Sequence, residues 1–137
     1  MHKKRLLRVI DANFNRLKEA LRVVEDIFRF IYEDNGLRKK TRKLRHALDV
    51  IADDDKFSEV TLERDSGTDL GRKTDLLELN RKNFSDILFI NLQRAKESSR
   101  VLEEFFKISF PAKVSVLKKL RYDIYDLEKE AYKYKRK

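Results

Sequence analysis

The chain has 137 residues, with 33 Lys or Arg against 24 Asp or Glu and a formal net charge of +9. It holds no Cys, no Trp and two His, which excludes disulfides, thiol nucleophiles, thiolate metal centres and a histidine-rich metal site. No apolar run reaches membrane-spanning length, and the basic N-terminus is followed by neither a long apolar stretch nor a small-residue cleavage site, so a soluble, cytoplasmic protein that attracts phosphate-bearing partners is expected.

Taken in chain order, Ile10, Phe14, Leu17, Leu21, Val24, Phe28 and Ile31 alternate steps of four and three residues. That spacing predicts one amphipathic helix, with Asp34-Asn35-Gly36 as its C-terminal stop. Leu37, Thr41, Leu44, Leu48 and Ile51 predict a second helix. Residues 56–84 carry two of the three glycines and read as a long connection. Within it, Glu59-Val60-Thr61-Leu62-Glu63 could be extended and Thr74–Leu79 a helical turn. A connection of that length in a compact helical domain is usually functional or disordered; this one carries Arg64, Asp65, Thr68, Asp69, Arg72, Lys73, Glu78 and Arg81. A third helix runs from Ile87 or Leu88 through Ile108, stopped by Pro111. Leu117, Leu120, Ile124, Leu127 and Ala131 mark a fourth.

The chain repeats itself. Residues 13–29 read N-F-N-R-L-K-E-A-L-R-V-V-E-D-I-F-R, and residues 91–107 read N-L-Q-R-A-K-E-S-S-R-V-L-E-E-F-F-K. Asn13, Arg16, Glu19, Arg22, Val23 and Glu25 recur as Asn91, Arg94, Glu97, Arg100, Val101 and Glu103. Lys43-Leu44-Arg45-His46 likewise resembles Lys119-Leu120-Arg121-Tyr122. The expectation is a single all-α domain over 1–137, with an internal repeat over 8–54 and 85–135 and a central functional loop over 56–84. Two pseudo-symmetric helical hairpins would then form a four-helix bundle.

Projected at helical pitch, Asn13 and Arg16 fall inside the apolar arc of the first helix, and Asn91 and Arg94 inside that of the third. Glu19 sits on the border, whereas Arg22 looks outward, where it can pair with a carboxylate of its own helix. Charge aimed at packed surface must be paired, by protein carboxylates or by a ligand. Two arrangements satisfy this. Arg16 could pair with Glu97 and Arg94 with Glu19, as a structural network between the halves, or the repeated residues could line a polar cavity. Arg45 and Arg121 lie at the edge of their apolar stripes, which suits a pocket rim or a solvated face.

Arg, Lys, carboxylates and Asn are the remaining chemistry, and that set suits phosphoryl transfer, in which positioning and charge stabilisation carry most of the rate. Gly71-Arg72-Lys73-Thr74 imitates the end of a phosphate-binding loop, but Gly67 is one residue too close and no buried strand precedes it. The basic run Arg38, Lys39, Lys40, Arg42, Lys43, Arg45 lacks interleaved aromatics, so nucleic-acid binding is not expected.

The stretch I-D-A-N-F-N-R-L-K-E-A-L-R-V-V-E-D-I-F-R-F, then L-R-H, R-D-S-G-T-D and N-L-Q-R-A-K-E-S-S-R-V-L-E-E-F-F-K resembles the all-helical hydroxymethylpyrimidine phosphate kinase family of thiamine biosynthesis. Members of that family stand alone or are fused ahead of thiamine phosphate synthase. Ser99 departs from the Leu expected there from Leu21 of the first copy. The resemblance implies transfer of the ATP γ-phosphoryl group to 4-amino-5-hydroxymethyl-2-methylpyrimidine phosphate, giving the diphosphate. The alternative is a non-catalytic module that binds phosphorylated ligands or partners thiamine phosphate synthase.

Geometry, rather than the resemblance, distributes the expected roles. Arg16 and Arg94 would bind phosphates, and Asn13 and Asn91 the pyrimidine or those arginines. Arg45, Arg121, Arg64, Arg81 and Thr68 would be further phosphate or substrate ligands. Asp65 would hold Mg²⁺ or act as general base, with Glu19 and Glu97 as alternatives. A homodimer is compatible with so short a bundle.

Overall fold

The computed structural model describes residues 2–53, 57–72 and 80–135. Among these residues there are five α-helices and no strand: α1 (His2–Asp26), α2 (Asn35–Ala52), α3 (Ser58–Leu62), α4 (Phe84–Ser109) and α5 (Val114–Ala131). The proposed turn at Thr74–Leu79 lies outside the described residues.

The apolar spacing becomes burial. Ile10, Leu17, Leu21, Val24 and Phe28 are fully or almost fully enclosed, as are Leu88, Leu92, Ala95, Leu102 and Phe106 on α4. Leu37, Thr41, Leu44, Leu48 and Ile51 are the buried positions of α2. Each such aliphatic side chain contributes about 1.5–3 kcal/mol when removed from water. α1 packs against α4 and α2, while α5 packs against α4 and α2, and one hydrophobic cluster runs through all of them. Small residues lie along the α1–α4 contact: Ala20, Ala95, Ser98 and Ser99 are all buried. The Ser99 hydroxyl donates to the Lys96 carbonyl of its own turn, 2.8 Å away, so this departure from leucine leaves no unsatisfied polar group.

Three local readings are corrected. The first helix does not stop at Asp34-Asn35-Gly36. Its α-helical pattern ends at Asp26, a π turn spans Ile27–Ile31, and the reversal is made by Glu33, whose φ of 50° is left-handed. Asp34 instead caps α2: its Oδ1 accepts from the Leu37 amide at 3.0 Å. Residues 58–62 are helical rather than extended, because Phe57 and Val60, three apart, both enter the core beside α1.

Asp34 is also tied to the far end of the chain. Its Oδ2 accepts from the Tyr134 hydroxyl at 2.7 Å and lies 3.0 Å from Lys133 Nζ, and Tyr134 stacks on Tyr32. Burial alone would raise the Asp34 carboxyl. The Leu37 amide, Tyr134 and Lys133 outweigh it and hold the group at about 2. A depressed carboxyl contributes stability above its unfolded pKa and loses it as pH falls through the folded value. Asp34→Asn, which keeps a cap acceptor but not the charge, is therefore expected to cost on the order of 2 kcal/mol at neutral pH. Urea titrations of both proteins should find that difference shrinking between about pH 4 and pH 2.

Candidate functional site

The repeated motif builds a cavity. An open cleft of about 880 Å³ lies between α1 and α4, lined by Asn13, Arg16, Glu19, Ala20 and Val23 from one helix and Asn91, Arg94, Glu97, Ser98 and Val101 from the other. Every lining position on α1 has its counterpart on α4 at the same repeat step. Two loop residues, Asp69 and Gly71, complete the wall and have no counterpart.

The asparagines are buried as their projection predicts, 6% exposed for Asn13 and 8% for Asn91. Each amide nitrogen donates back along its helix, Asn13 to the Val9 carbonyl at 2.9 Å and Asn91 to the Ile87 carbonyl at 2.8 Å. That anchors both side chains and leaves each amide oxygen without a protein donor among the described residues. The cavity thus carries two fixed, symmetric hydrogen-bond acceptors.

Arg16 and Arg94 correct the projection. Both are exposed, not embedded in packed surface. A long stem lets an arginine leave the apolar arc and carry its guanidinium to water. Neither makes an ion pair or hydrogen bond with another described residue, so the expected Arg16–Glu97 and Arg94–Glu19 network is absent there. Two guanidiniums with all their donors available face a shared cleft. Glu19 and Glu97 line it as well, both exposed.

Arg45 and Arg121 are elsewhere. Arg121 is 7% exposed, and its Nε donates to Glu103 Oε2 at 2.7 Å and its Nη1 to the Tyr125 hydroxyl at 3.0 Å. Glu103 first, and Tyr125 second, hold this guanidinium above its ordinary pKa. Arg45 makes the corresponding pair with Glu25, Nη2 to Oε2 at 3.1 Å. These arginines join α2 to α1 and α5 to α4, away from the cavity. Arg22 and Arg100 pair within their own helices, with Glu25 and Asp26 and with Glu103 and Glu104.

The loop residues divide. Arg64 reaches back to α1 and grips buried Asp11 with two hydrogen bonds, Nε to Oδ2 at 2.7 Å and Nη2 to Oδ1 at 2.8 Å. Asn15 also donates to Asp11 Oδ1. Asp65 and Thr68 close a turn, with the Thr68 hydroxyl and amide both donating to the Asp65 carboxylate. Those bonds, the hydroxyl first, lower the Asp65 pKa. Asp65 and Arg64 border a separate basic recess with Lys4, Arg5 and Arg8. Neither Asp65, Arg64, Thr68 nor Arg81 lines the α1–α4 cleft. Arg81 donates to the Asn80 carbonyl just before α4. The loop carboxylate that does line the cleft is Asp69, which the sequence placed in the loop without distinguishing it from its neighbours. Val23 and Val101 were legible as repeat steps, though not as cavity wall, and Ala20 and Ser98, which differ between the copies, gave no such signal.

No group of three or more His, Asp or Glu among the described residues is gathered closely enough to hold a metal ion by itself. Among the described residues, two guanidiniums stand against three carboxylates in the cleft: Glu19, Glu97 and Asp69. That balance does not favour a bare phosphate. A divalent cation that accompanies phosphates commonly takes one or two protein carboxylates and fills its remaining sites with phosphate oxygens and water.

The described residues are therefore all-helical, with one polar cleft lined by a duplicated motif. Residues 8–130 match the ThiD2 family, and the chain belongs to it. It is 39% identical over 124 residues to a thiamine-phosphate synthase of Synechocystis sp. and 34% identical over 124 residues to one of Thermosynechococcus vestitus. A thiamine-phosphate synthase of Rhodopirellula baltica is 30% identical over 121 residues. These alignments cover 90%, 90% and 88% of this chain but 35%, 34% and 32% of the relatives, so the chain spans about a third of the length of the curated relatives it matches. No solved structure matches it. No helix among the described residues is long and apolar enough to cross a membrane.

Proposed function

We propose that this chain works in thiamine biosynthesis as a kinase. It would transfer the γ-phosphoryl group of ATP to 4-amino-5-hydroxymethyl-2-methylpyrimidine phosphate, giving ADP and the pyrimidine diphosphate. The halves 8–54 and 85–135 are taken as duplicated hairpins of one four-helix bundle, with the reaction in the cleft between α1 and α4. The observation that carries the reading is the pair of unpartnered guanidiniums, Arg16 and Arg94, facing one cleft beside the two anchored asparagines.

The chemistry asks little of the protein beyond placement. A phosphate oxygen of the pyrimidine monophosphate attacks the γ-phosphorus, the bond to the ADP oxygen breaks, and ADP leaves with the electron pair. A phosphate monoester has its second pKa near about 6 and is mostly dianionic at neutral pH. The nucleophile is then already ionised, and no general base is required. Asp65, placed outside the cleft, is not needed in that role. Arg16 and Arg94 would clamp the two phosphate groups bidentately and hold the reacting atoms in line. The Asn13 and Asn91 amide oxygens would accept from the pyrimidine 4-amino group on one side and the adenine or ribose on the other. One or two of Glu19, Glu97 and Asp69, together with the phosphate oxygens, would hold Mg²⁺ arriving with ATP; bound there, it would neutralise charge on the phosphates. Asp69 and Gly71 have no counterpart in the repeat, so they would decide which half takes nucleotide.

The test is direct. Purified protein, ATP, Mg²⁺ and the pyrimidine monophosphate should yield the diphosphate and ADP in equal amounts; a folded sample with no turnover sinks the reading. A second reading draws on the names and lengths of the relatives: a binding or regulatory module that partners thiamine phosphate synthase. It predicts co-elution with that synthase and binding of the monophosphate without ADP formation.

A further inference from the structure

The repeat is broken between α1 and α2. Arg22, Arg29, Arg38, Arg42 and Arg45 surround the single carboxylate of Glu25 in a recess of about 480 Å³ between α1 and α2. Arg22 and Arg45 share that carboxylate. Arg29, Arg38 and Arg42 have no carboxylate partner among the described residues: Arg38 reaches only the neutral Asn35 side chain, and Arg29 lies over the Phe30 ring. The Arg45 Nε is buried without any hydrogen-bond partner. A buried guanidinium donor left unmet carries a real desolvation cost.

The second copy is closed where the first is open. At the equivalent steps Arg121 engages Glu103 through both Nε and Nη2 and spends a further donor on Tyr125. Lys107, the counterpart of Arg29, is neutralised by Glu104 at 2.9 Å, and Val114 stands in the place of Arg38. The π turn at Ile27–Ile31, which contains Arg29, also has no equivalent, since α4 stays α-helical to Ser109. π turns concentrate at functional sites. One copy thus presents planar guanidiniums at three positions where the other has Lys107, Val114 and Lys118, and an open donor where the other has sealed the same ion pair.

We infer that the recess between α1 and α2 is a second anion site, distinct from the α1–α4 cleft, and that it takes a diphosphate group. Several planar donor forks around one concave space match two adjacent phosphates better than one, because a single phosphate reaches fewer of them. Five cations against Glu25, with Asp26 engaging Arg22 alone, bind a bare anion without a metal ion, the opposite of the cleft. The inference does not depend on the kinase reading.

The experiment is titration calorimetry with inorganic pyrophosphate in excess chelator, at about 0.15 M salt to suppress diffuse attraction. The protein carries Arg16→Ala and Arg94→Ala, so that the cleft cannot contribute. Pyrophosphate is expected to bind at one site per chain, at least tenfold more tightly than orthophosphate. Adding Arg29→Ala and Arg42→Ala should weaken it at least tenfold with the circular dichroism melt unchanged, because both residues are exposed and lack ion-pair partners. ADP in place of pyrophosphate separates the sources: tighter binding assigns the site to a nucleotide-borne diphosphate, and equal binding to the diphosphate alone. No binding, binding indifferent to Arg29 and Arg42, or orthophosphate binding as tightly would each overturn the assignment. So would an oligonucleotide that binds through the same arginines and is not displaced by pyrophosphate.

Discussion

Arg16→Ala and Arg94→Ala should each lower kcat/KM for diphosphate formation by at least about a hundredfold, the loss typical of removing one charge-stabilising donor from a reacting centre. Stability should change by no more than about 0.5 kcal/mol, since neither side chain is buried or paired and exposed substitutions seldom do more. That separation of activity from stability is the informative part. Had the two arginines been embedded and cross-paired, their loss would have unfolded the protein before any assay could be read. Arg→Lys at either position should recover only part of the loss, because lysine restores charge but not the bidentate fork. The two single variants also measure the asymmetry of the cleft. Their side-chain surroundings on α1 and α4 are repeats of one another, so any difference between them comes from the residues that are not repeated, with Asp69 and Gly71 among them. Equal, undiminished turnover in both would end the claim that the cleft is the reaction site.

Arg121→Ala should instead destabilise the fold by about 3–5 kcal/mol, the cost of leaving a buried carboxylate without its cation. Glu103 is only 5% exposed, and its nearest other cation is Arg100 at 3.9 Å. For a chain of this size that loss corresponds to a fall in Tm of roughly 10–20 °C. Arg45→Ala should cost less, because Glu25 keeps Arg22 at 3.4 Å and the Arg45 bond is itself incomplete. A double replacement, Glu103→Gln with Arg121→Met, should recover much of the lost stability, as replacing a whole buried pair does more often than breaking one. Urea denaturation of the wild type, Arg121→Ala, Arg45→Ala and the double replacement gives the comparison. A deficit under about 1 kcal/mol for Arg121→Ala would mean that the pair is far better solvated than its burial implies.

The sequence carried the helices well because their signal is periodic. The three–four spacing of Leu37 to Ile51 reproduces the buried face of α2 residue for residue, and the inward asparagines follow from the same projection. The arginines did not follow, because projection locates a Cβ and says nothing about where a long stem delivers its charge. The pairing of Arg45 and Arg121 escapes a single-helix projection for a related reason: their partners, Glu25 and Glu103, lie on a neighbouring helix. The loop was hardest. Asp65 and Asp69 are four residues apart in an aperiodic segment, and only the three-dimensional path brings one to the cleft and turns the other toward Thr68. Arg64, the anchor of that path, owes its role to Asp11, which is 53 residues away in sequence.

A cleft shared between α1 and α4 has a mechanical consequence. Whatever it holds touches both halves of the chain at once and acts as a removable crosslink between them. Its binding energy adds to the cohesion of the α1–α4 seam, by about 2.7 kcal/mol when present at a hundred times its dissociation constant. The occupied protein should therefore resist heat and proteases as a single body, and the empty one should yield first along that seam.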